Sequence, residues 1–423
     1  MYGKEKLTDT FNYIKLADIE YKAGNFKGAI EYYKLYIEKN PKDADIYNII
    51  GYLYKKIDSY KTLKEQINYF ETAVKLKPDF EPAIRNLAFA NSRACNYKKA
   101  EKYFKKLLKL NPTADDYTAY ACLKIRLGDF EEGWKYYEYR FSKCFGKTFY
   151  PKIAKPRWGG EKISDKTLLV NCEQGFGDSI QFFRYIMQAR PLAKKIIFRV
   201  QEELADLFKT NSEGIEIVGD SIPLNNLDFD CHIPIMSLPL ILGAKIDTIP
   251  MAEGYLKADE KSAEKYKKKY FNNKLLKIGI SWHGAASGKQ IRDIPVKYFL
   301  PIFNLKNVKF YSFQKGVNME LIKNLAPEAD IVDLGRIFNN FSDTAAAMEN
   351  IDLFITCDNC LLNLAGAMGK KTFVLLNKDS EWRWFLDNKT TPWYKSVKIF
   401  KKQNKNQSWN LQIKNILMSL RGN

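Results

Sequence analysis

The periodicity of apolar residues changes once along this chain, near Pro151, and that change points to two architectures in series. Before it, apolar residues recur at three- and four-residue spacing, the stripe of an amphipathic helix. Prolines at 41, 78 and 112 punctuate these stretches at spacings of 37 and 34 residues. A period of this size denotes helix pairs that stack on one another, because one pair alone cannot bury its apolar faces. After the segment Tyr150-Pro151-Lys152-Ile153-Ala154-Lys155-Pro156-Arg157-Trp158-Gly159-Gly160, short apolar strands alternate with helices, which predicts parallel sheets. No stretch approaches the roughly 18 consecutive apolar residues that a membrane span needs.

The helical part has a visible register. In its first unit Leu16 and Ala17 lie on one helix, Gly24-Asn25-Phe26 makes the turn, and Ala29 and Tyr33 lie on the second helix. The second unit carries Ile50-Gly51, Tyr54, Phe70 and Ala73, and the third Leu87-Ala88, Asn96-Tyr97, Ala100 and Phe104. A fourth, atypical unit holds Ala121, Leu127-Gly128-Asp129-Phe130 and Trp134, then runs into Arg140-Phe141 without a closing proline. The pattern resembles tetratricopeptide repeats. That resemblance implies a concave groove for a protein or peptide partner, which can be the acceptor of the chemistry that follows; a spacer or self-association surface is the other reading of the same repeats.

The expected layout is a repeat array over residues 1–148, a linker over 149–164, a first lobe over 165–258 and a second over 272–423. Strands are expected near 167–173, 195–201, 214–219 and 229–235 in the first lobe. The second lobe should have them near 277–282, 309–313, 331–334, 353–357 and 372–376. The fold class is therefore α plus α/β: helical repeats, then two Rossmann-like parallel-sheet lobes facing across a cleft.

Four segments occur in order. They are Glu173 through Phe182 (EQGFGDSIQF), Ile278 through Trp282 (IGISW), Tyr311 through Gly316 (YSFQKG), and Asp358 through Gly366 followed by Glu381-Trp382-Arg383-Trp384. Together they resemble the tetratricopeptide-linked relatives of the ADP-heptose:lipopolysaccharide heptosyltransferase family, a glycosyltransferase 9-like group with the GT-B fold. The resemblance implies transfer of a sugar from a nucleotide-sugar donor to an acceptor hydroxyl, inverting and without a metal or other cofactor. It assigns the general base to Asp178. The residues themselves leave two roles open for Asp178, base or helix cap. Gly175 and Gly177 flank this turn, where backbone can approach an anion at a helix N-terminus.

Departure of a nucleoside diphosphate needs donors aimed at the developing charge. Ser281, His283, Lys289 and Arg292 follow one predicted strand of the second lobe and Gln314 and Lys315 follow the next, so these are the phosphate candidates. The resemblance favours Arg292, which precedes Ile294-Pro295 as the family arginine does. Asp358, Asn359, Cys360 and Asn363 open a predicted donor-binding helix. Relatives commonly carry histidine at the position of Asn363 and threonine at that of Asn359; asparagine donates a hydrogen bond but carries no charge. This departure motivates the alternative of a protein-binding module that keeps the transferase fold without turnover.

Other features weigh less. Asp228-Phe229-Asp230 has the Asp-x-Asp form of metal-dependent transferases but precedes a strand, and no metal is assigned to it. The seven cysteines, including Cys357-x-x-Cys360, are read as free thiols. The net charge of +19 is spread over helix faces without a nucleic-acid module, so no nucleic-acid partner is expected, while peripheral contact with a membrane surface is compatible with it. The start of the chain lacks an export signal's apolar core, and a cytoplasmic location is the expectation. Glu381-Trp382-Arg383-Trp384 and Pro392-Trp393-Tyr394 are read as packing of a terminal loop, and a last helix over 408–420 is expected to cross back to the first lobe.

Overall fold

The computed structural model describes residues 2–142, 150–284, 292–316, 320–386, 389–404 and 407–421, with backbone alone for 2–11, 321 and 323. The chain forms two compact units, one of Met1–Lys124 with Tyr136–Lys147 and one of Ile125–Lys135 with Thr148–Asn423.

The first unit is a series of helix pairs: Tyr2–Lys22 with Phe26–Lys39, Ala44–Ile57 with Leu63–Leu76, and Glu81–Arg93 with Tyr97–Leu107, followed by Ala114–Arg126. Small residues sit where helices meet: Ala17, Ala29, Ala73, Ala88 and Ala100 have no exposed surface. Leu16 is exposed, and its neighbour Ala17 takes the buried position. Gly24 turns the first pair with φ +78°, and the Asn25 side chain accepts a hydrogen bond from the Gly28 N–H at 3.1 Å to start the next helix. The longer spacing, that of the second unit, has a local source, a turn over 58–62 where the neighbouring pairs turn over 23–25 and 94–96. Asp116, fully buried, accepts from Arg85 Nε at 3.0 Å and from the Thr113 N–H at 2.8 Å, which ties the third pair to the helix that follows.

In the second unit the first sheet comprises β1 (Ile163–Asn171), β2 (Ala193–Val200), β3 (Ile215–Gly219) and β4 (Cys231–Pro234), in the order β3-β2-β1-β4. The second comprises β5 (Leu276–Ile280), β6 (Val308–Ser312), β7 (Ile331–Asp333), β8 (Leu353–Thr356), β9 (Thr372–Leu376) and β10 (Val397–Lys401), in the order β10-β9-β8-β5-β6-β7. Every pairing is parallel. Central strands read as nearly continuous apolar runs because helices cover both faces: β9, Thr372 to Leu376, is buried throughout. The fold class expected from the sequence is the fold observed.

Three differences have local causes. β1 begins at Ile163, inside the stretch read as linker, because Ile163 pairs with Ala193 across a register irregularity before the regular ladder resumes at Thr167. β10 was not anticipated; its Lys398 and Lys401 break the apolar run that marks the other strands. The Asn410–Arg421 helix does not cross to the first lobe. Ile413 and Ile416 are buried with Phe299, Ile302, Phe303 and Phe400 of its own lobe, which leaves its apolar stripe no free face to carry elsewhere.

Gly51 shows how tightly the repeats are fitted. Alanine in a helix interior ordinarily gains about 1 kcal/mol over glycine, yet a Cβ here would stand 2.5 Å from the ring of fully buried Phe70. Gly51→Ala should therefore cost about 1–3 kcal/mol by overpacking. Denaturant unfolding checks this, and adding Phe70→Leu should recover much of the loss.

Candidate functional site

Both sheets reverse their strand order once, between β1 and β4 and between β5 and β8. Loops at the carboxyl ends of such strands line a crevice in open α/β sheets. The loop after β1 carries Gly175 and leads into the Phe176–Ala189 helix, and the loop after β8 leads into the Cys360–Ala367 helix. The two helix N-termini meet. A Cβ on Gly177 would lie 2.8 Å from Asn363 Nδ2 and 3.5 Å from Cys360 Cα, so glycine at 177 permits this approach. Gly175 is not constrained in this way: its φ is −79° and a Cβ would make only an ordinary contact, 3.6 Å, with Asp178.

Asp178 caps its helix and also pairs with an arginine from the second lobe. Its Oδ2 accepts from the Gly175 N–H at 3.0 Å, capping the helix, while its Oδ1 accepts from the Arg383 guanidinium at 2.8 Å. Arg383 comes from the short turn Trp382–Trp384 after β9. A second Arg383 nitrogen donates to Gln181 Oε1 at 3.0 Å, one helical turn beyond Asp178, and Glu381 Oε2 stands 3.5 Å from the first. The other oxygen of Glu381 accepts from Arg292. Asp178 and Arg383 side chains are 13% and 11% exposed, which makes theirs a largely desolvated pair. Burial works against the Arg383 charge, but Asp178, Glu381 and Asp358 outweigh it and hold the guanidinium above its ordinary value. Burial likewise pushes the Asp358 carboxyl up, opposed by Arg292.

The remaining candidates separate by what their atoms already do. Gln314 Oε1 accepts from Ser281 Oγ at 2.9 Å, from the Trp282 N–H at 3.2 Å and from the His283 N–H at 2.9 Å. Asn359 caps the Cys360–Ala367 helix through Leu362 N–H and donates to Ser281 Oγ at 2.9 Å. Ser281, Gln314 and Asn359 thus form one buried knot that ties together the ends of β5, β6 and β8. The Asn363 Oδ1 accepts from the Tyr394 hydroxyl at 3.0 Å. His283 is half exposed and its Nδ1 lies 2.7 Å from Asp293 Oδ2. Lys315 is exposed, and Lys289 lies outside the described residues. Cys360 is a free thiol pushed up to about 11 by burial. In the Asp-x-Asp segment, Asp230 Oδ2 accepts from the Thr167 N–H at 2.7 Å, a structural contact beside β1. Among the described residues no group of three or more His, Cys, Asp or Glu side chains is placed to hold a metal ion, and no helix is long and apolar enough to cross a membrane.

The geometry adds Arg383 and Glu381, absent from the sequence-derived set. Trp384, Trp393 and Tyr394 are fully buried, which agrees with reading these aromatics as packing. The arginine between two tryptophans carries the polar contact.

Comparison with known proteins gives the following. Tetratricopeptide repeat models match residues 44–80 and 82–114, so the chain carries these repeats, a module that implies protein–protein interaction. Protein FlbA of Caulobacter vibrioides is 26% identical over 404 residues, 88% of this chain and 66% of that protein. The human antiviral innate immune response effector IFIT1 is 30% identical over 113 residues, 22% of this chain and 23% of its own length. The chain therefore spans under two thirds of each of these curated relatives. Among solved structures, a glycosyl transferase family 9 protein from Veillonella parvula aligns over 63% of this chain and 99% of its own, at 12% identity and TM-score 0.48. MamA aligns over 32% of this chain and 72% of its own, at 23% identity and TM-score 0.30.

Removing one partner of a largely buried ion pair typically costs about 3–5 kcal/mol because the other charge is left uncompensated. Asp178→Ala should approach that loss, reduced by the nearby Glu381, whereas Asp178→Asn keeps an acceptor for Arg383 and should lose less. Urea unfolding of the two variants beside the parent measures the difference.

Proposed function

We propose that this protein is a glycosyltransferase that moves a sugar from a nucleotide-sugar donor to an acceptor hydroxyl, with the repeats engaging a protein or peptide. The observation that carries the reading is the meeting of two helix N-termini at the carboxyl edges of two parallel sheets, with Asp178 on one side and the Arg292–Glu381–Arg383 cluster on the other. A helix N-terminus favours a phosphate, and guanidinium groups recognise phosphate oxygens in paired geometry.

On this reading Asp178 takes the proton from the acceptor hydroxyl as that oxygen attacks the anomeric carbon. The departing diphosphate gathers negative charge, which Arg292 and the opening of the Cys360–Ala367 helix are disposed to stabilise. Cationic charge comes from the two arginines, so neutral Asn363 is free to serve as the acceptor for Tyr394. A noncatalytic nucleotide-binding reading draws on one observation, that both Asp178 oxygens already have partners.

Incubation with UDP-, GDP- and ADP-sugars, followed by donor turnover and thermal shift, separates the two readings. Transfer or donor hydrolysis is expected; binding without turnover on any acceptor supports the second reading. Asp178→Asn should lower transfer by about 10²–10⁴-fold, the usual contribution of a general base, with donor binding retained. Full transfer by this variant would remove Asp178 from the mechanism.

A further inference from the structure

Glu381 holds an unusual place for a carboxylate beside a proposed anion site. One oxygen accepts from Arg292, and the other lies 3.5 Å from Arg383. A single carboxylate therefore bridges the two guanidinium groups, as a phosphate group can. Glu381 is 24% exposed and Arg292 20%, so solvent reaches this pair while Arg383 stays largely covered. Two nearby donors lack acceptors: Arg292 Nε, and the Nε2 of Gln181, a residue with no exposed surface whose Oε1 binds Arg383. These are donors held in place with fewer acceptors than they can use.

We propose that Glu381 is a built-in competitor for the donor's diphosphate: it occupies Arg292 and Arg383 in the free protein and is displaced when a nucleoside diphosphate binds. The inference rests on the glycosyl-transfer reading and adds to it a gate. Displaced from Arg292, Glu381 remains within reach of Arg383, so exchange at the donor side alters the surroundings of the guanidinium that holds Asp178. Entry of the donor is thereby coupled to the acceptor side through residues that share one network. The cost of the gate falls on affinity, because a ligand that needs the open state binds more weakly by the fraction of molecules in which that state is populated.

Removing the competitor should tighten binding, an effect that loss of a merely structural ion pair does not produce. If Glu381 covers the arginines in about 90% of molecules, Glu381→Gln binds about tenfold more tightly. Calorimetry with UDP, GDP, ADP and inorganic pyrophosphate measures this on the full chain. Glu381→Ala provides a second neutral variant should the glutamine variant fold poorly, and Arg292→Gln should weaken binding in either background. Tighter binding by the neutral variants, with Arg292→Gln weaker, is the expected result. Unchanged or weaker binding by the neutral variants, with the parent still binding a nucleoside diphosphate, overturns the gate and leaves the transferase reading standing. No binding of any of these probes by the parent or the neutral variants overturns both.

Discussion

The junction of the two lobes depends on finding partners for one guanidinium that is almost entirely removed from water. Desolvating a cation costs several kcal/mol, recovered only if its N–H groups meet acceptors in good geometry. Arg383 meets Asp178, Gln181 and Glu381, and the first two lie on the first lobe. The backbone that delivers it is fixed from both sides: Trp382 and Trp384 are buried, and Phe385 turns the chain with φ +49°. A phenylalanine in the left-handed region costs about 1–3 kcal/mol and persists only where packing imposes it. Here that packing includes the Phe130 and Trp393 rings, at 6.0 and 6.1 Å between centroids. Aromatic burial thus supports a backbone turn whose purpose is to place a charge.

The helix facing this turn is organised to receive it. Asp178, Gln181 and Arg184 follow one another at three-residue intervals and so share a face. All three reach across the junction. Arg184 donates to the Trp393 carbonyl at 2.8 Å and to the Pro250 carbonyl at 3.2 Å, with its guanidinium 4.6 Å from the Tyr255 ring centroid and 4.9 Å from that of Tyr394. A buried helix with such a stripe is held by directional contacts, which have few alternative arrangements, rather than by apolar area alone, which has many. Register between the lobes follows from that, and register is what a reaction shared between two lobes requires.

The sequence disclosed the parts of this arrangement that are local. Gly24-Asn25, the alanines of the repeats and the apolar strands announce themselves within a few residues, because turn chemistry and periodicity act over that range. Asp178 was legible as a charged residue opening a helix after a strand. Its partner was not, since Arg383 lies 205 residues away in sequence and sits in a segment whose tryptophans already explained themselves as packing. Ser281 and Gln314 show the limit from the other side. Position after a strand suggested ligand donors; their burial and their bond to each other at the ends of the sheet are what no single sequence reveals. The last helix packs on its own lobe through Ile413 and Ile416, where the resemblance implied the first lobe.

Asp178, Glu381 and Asp358 face Arg292 and Arg383, so the cluster holds one more acid than base when all are ionised. A diphosphate entering such a cluster meets repulsion unless one carboxylate leaves or takes a proton. Glu381 is the one that can leave, being partly exposed. Asp358 is the one that can take a proton, because burial favours its neutral form. The sign follows from linkage: a carboxyl raised in the folded state binds more protons folded than unfolded, so its contribution to stability falls as pH rises through that raised value. Asp358 therefore penalises the folded protein most when ionised, and an anionic ligand adds to that penalty. Protonation of Asp358 and displacement of Glu381 relieve the same excess of negative charge, and on the glycosyl-transfer reading entry of a phosphate among these carboxylates requires one of the two.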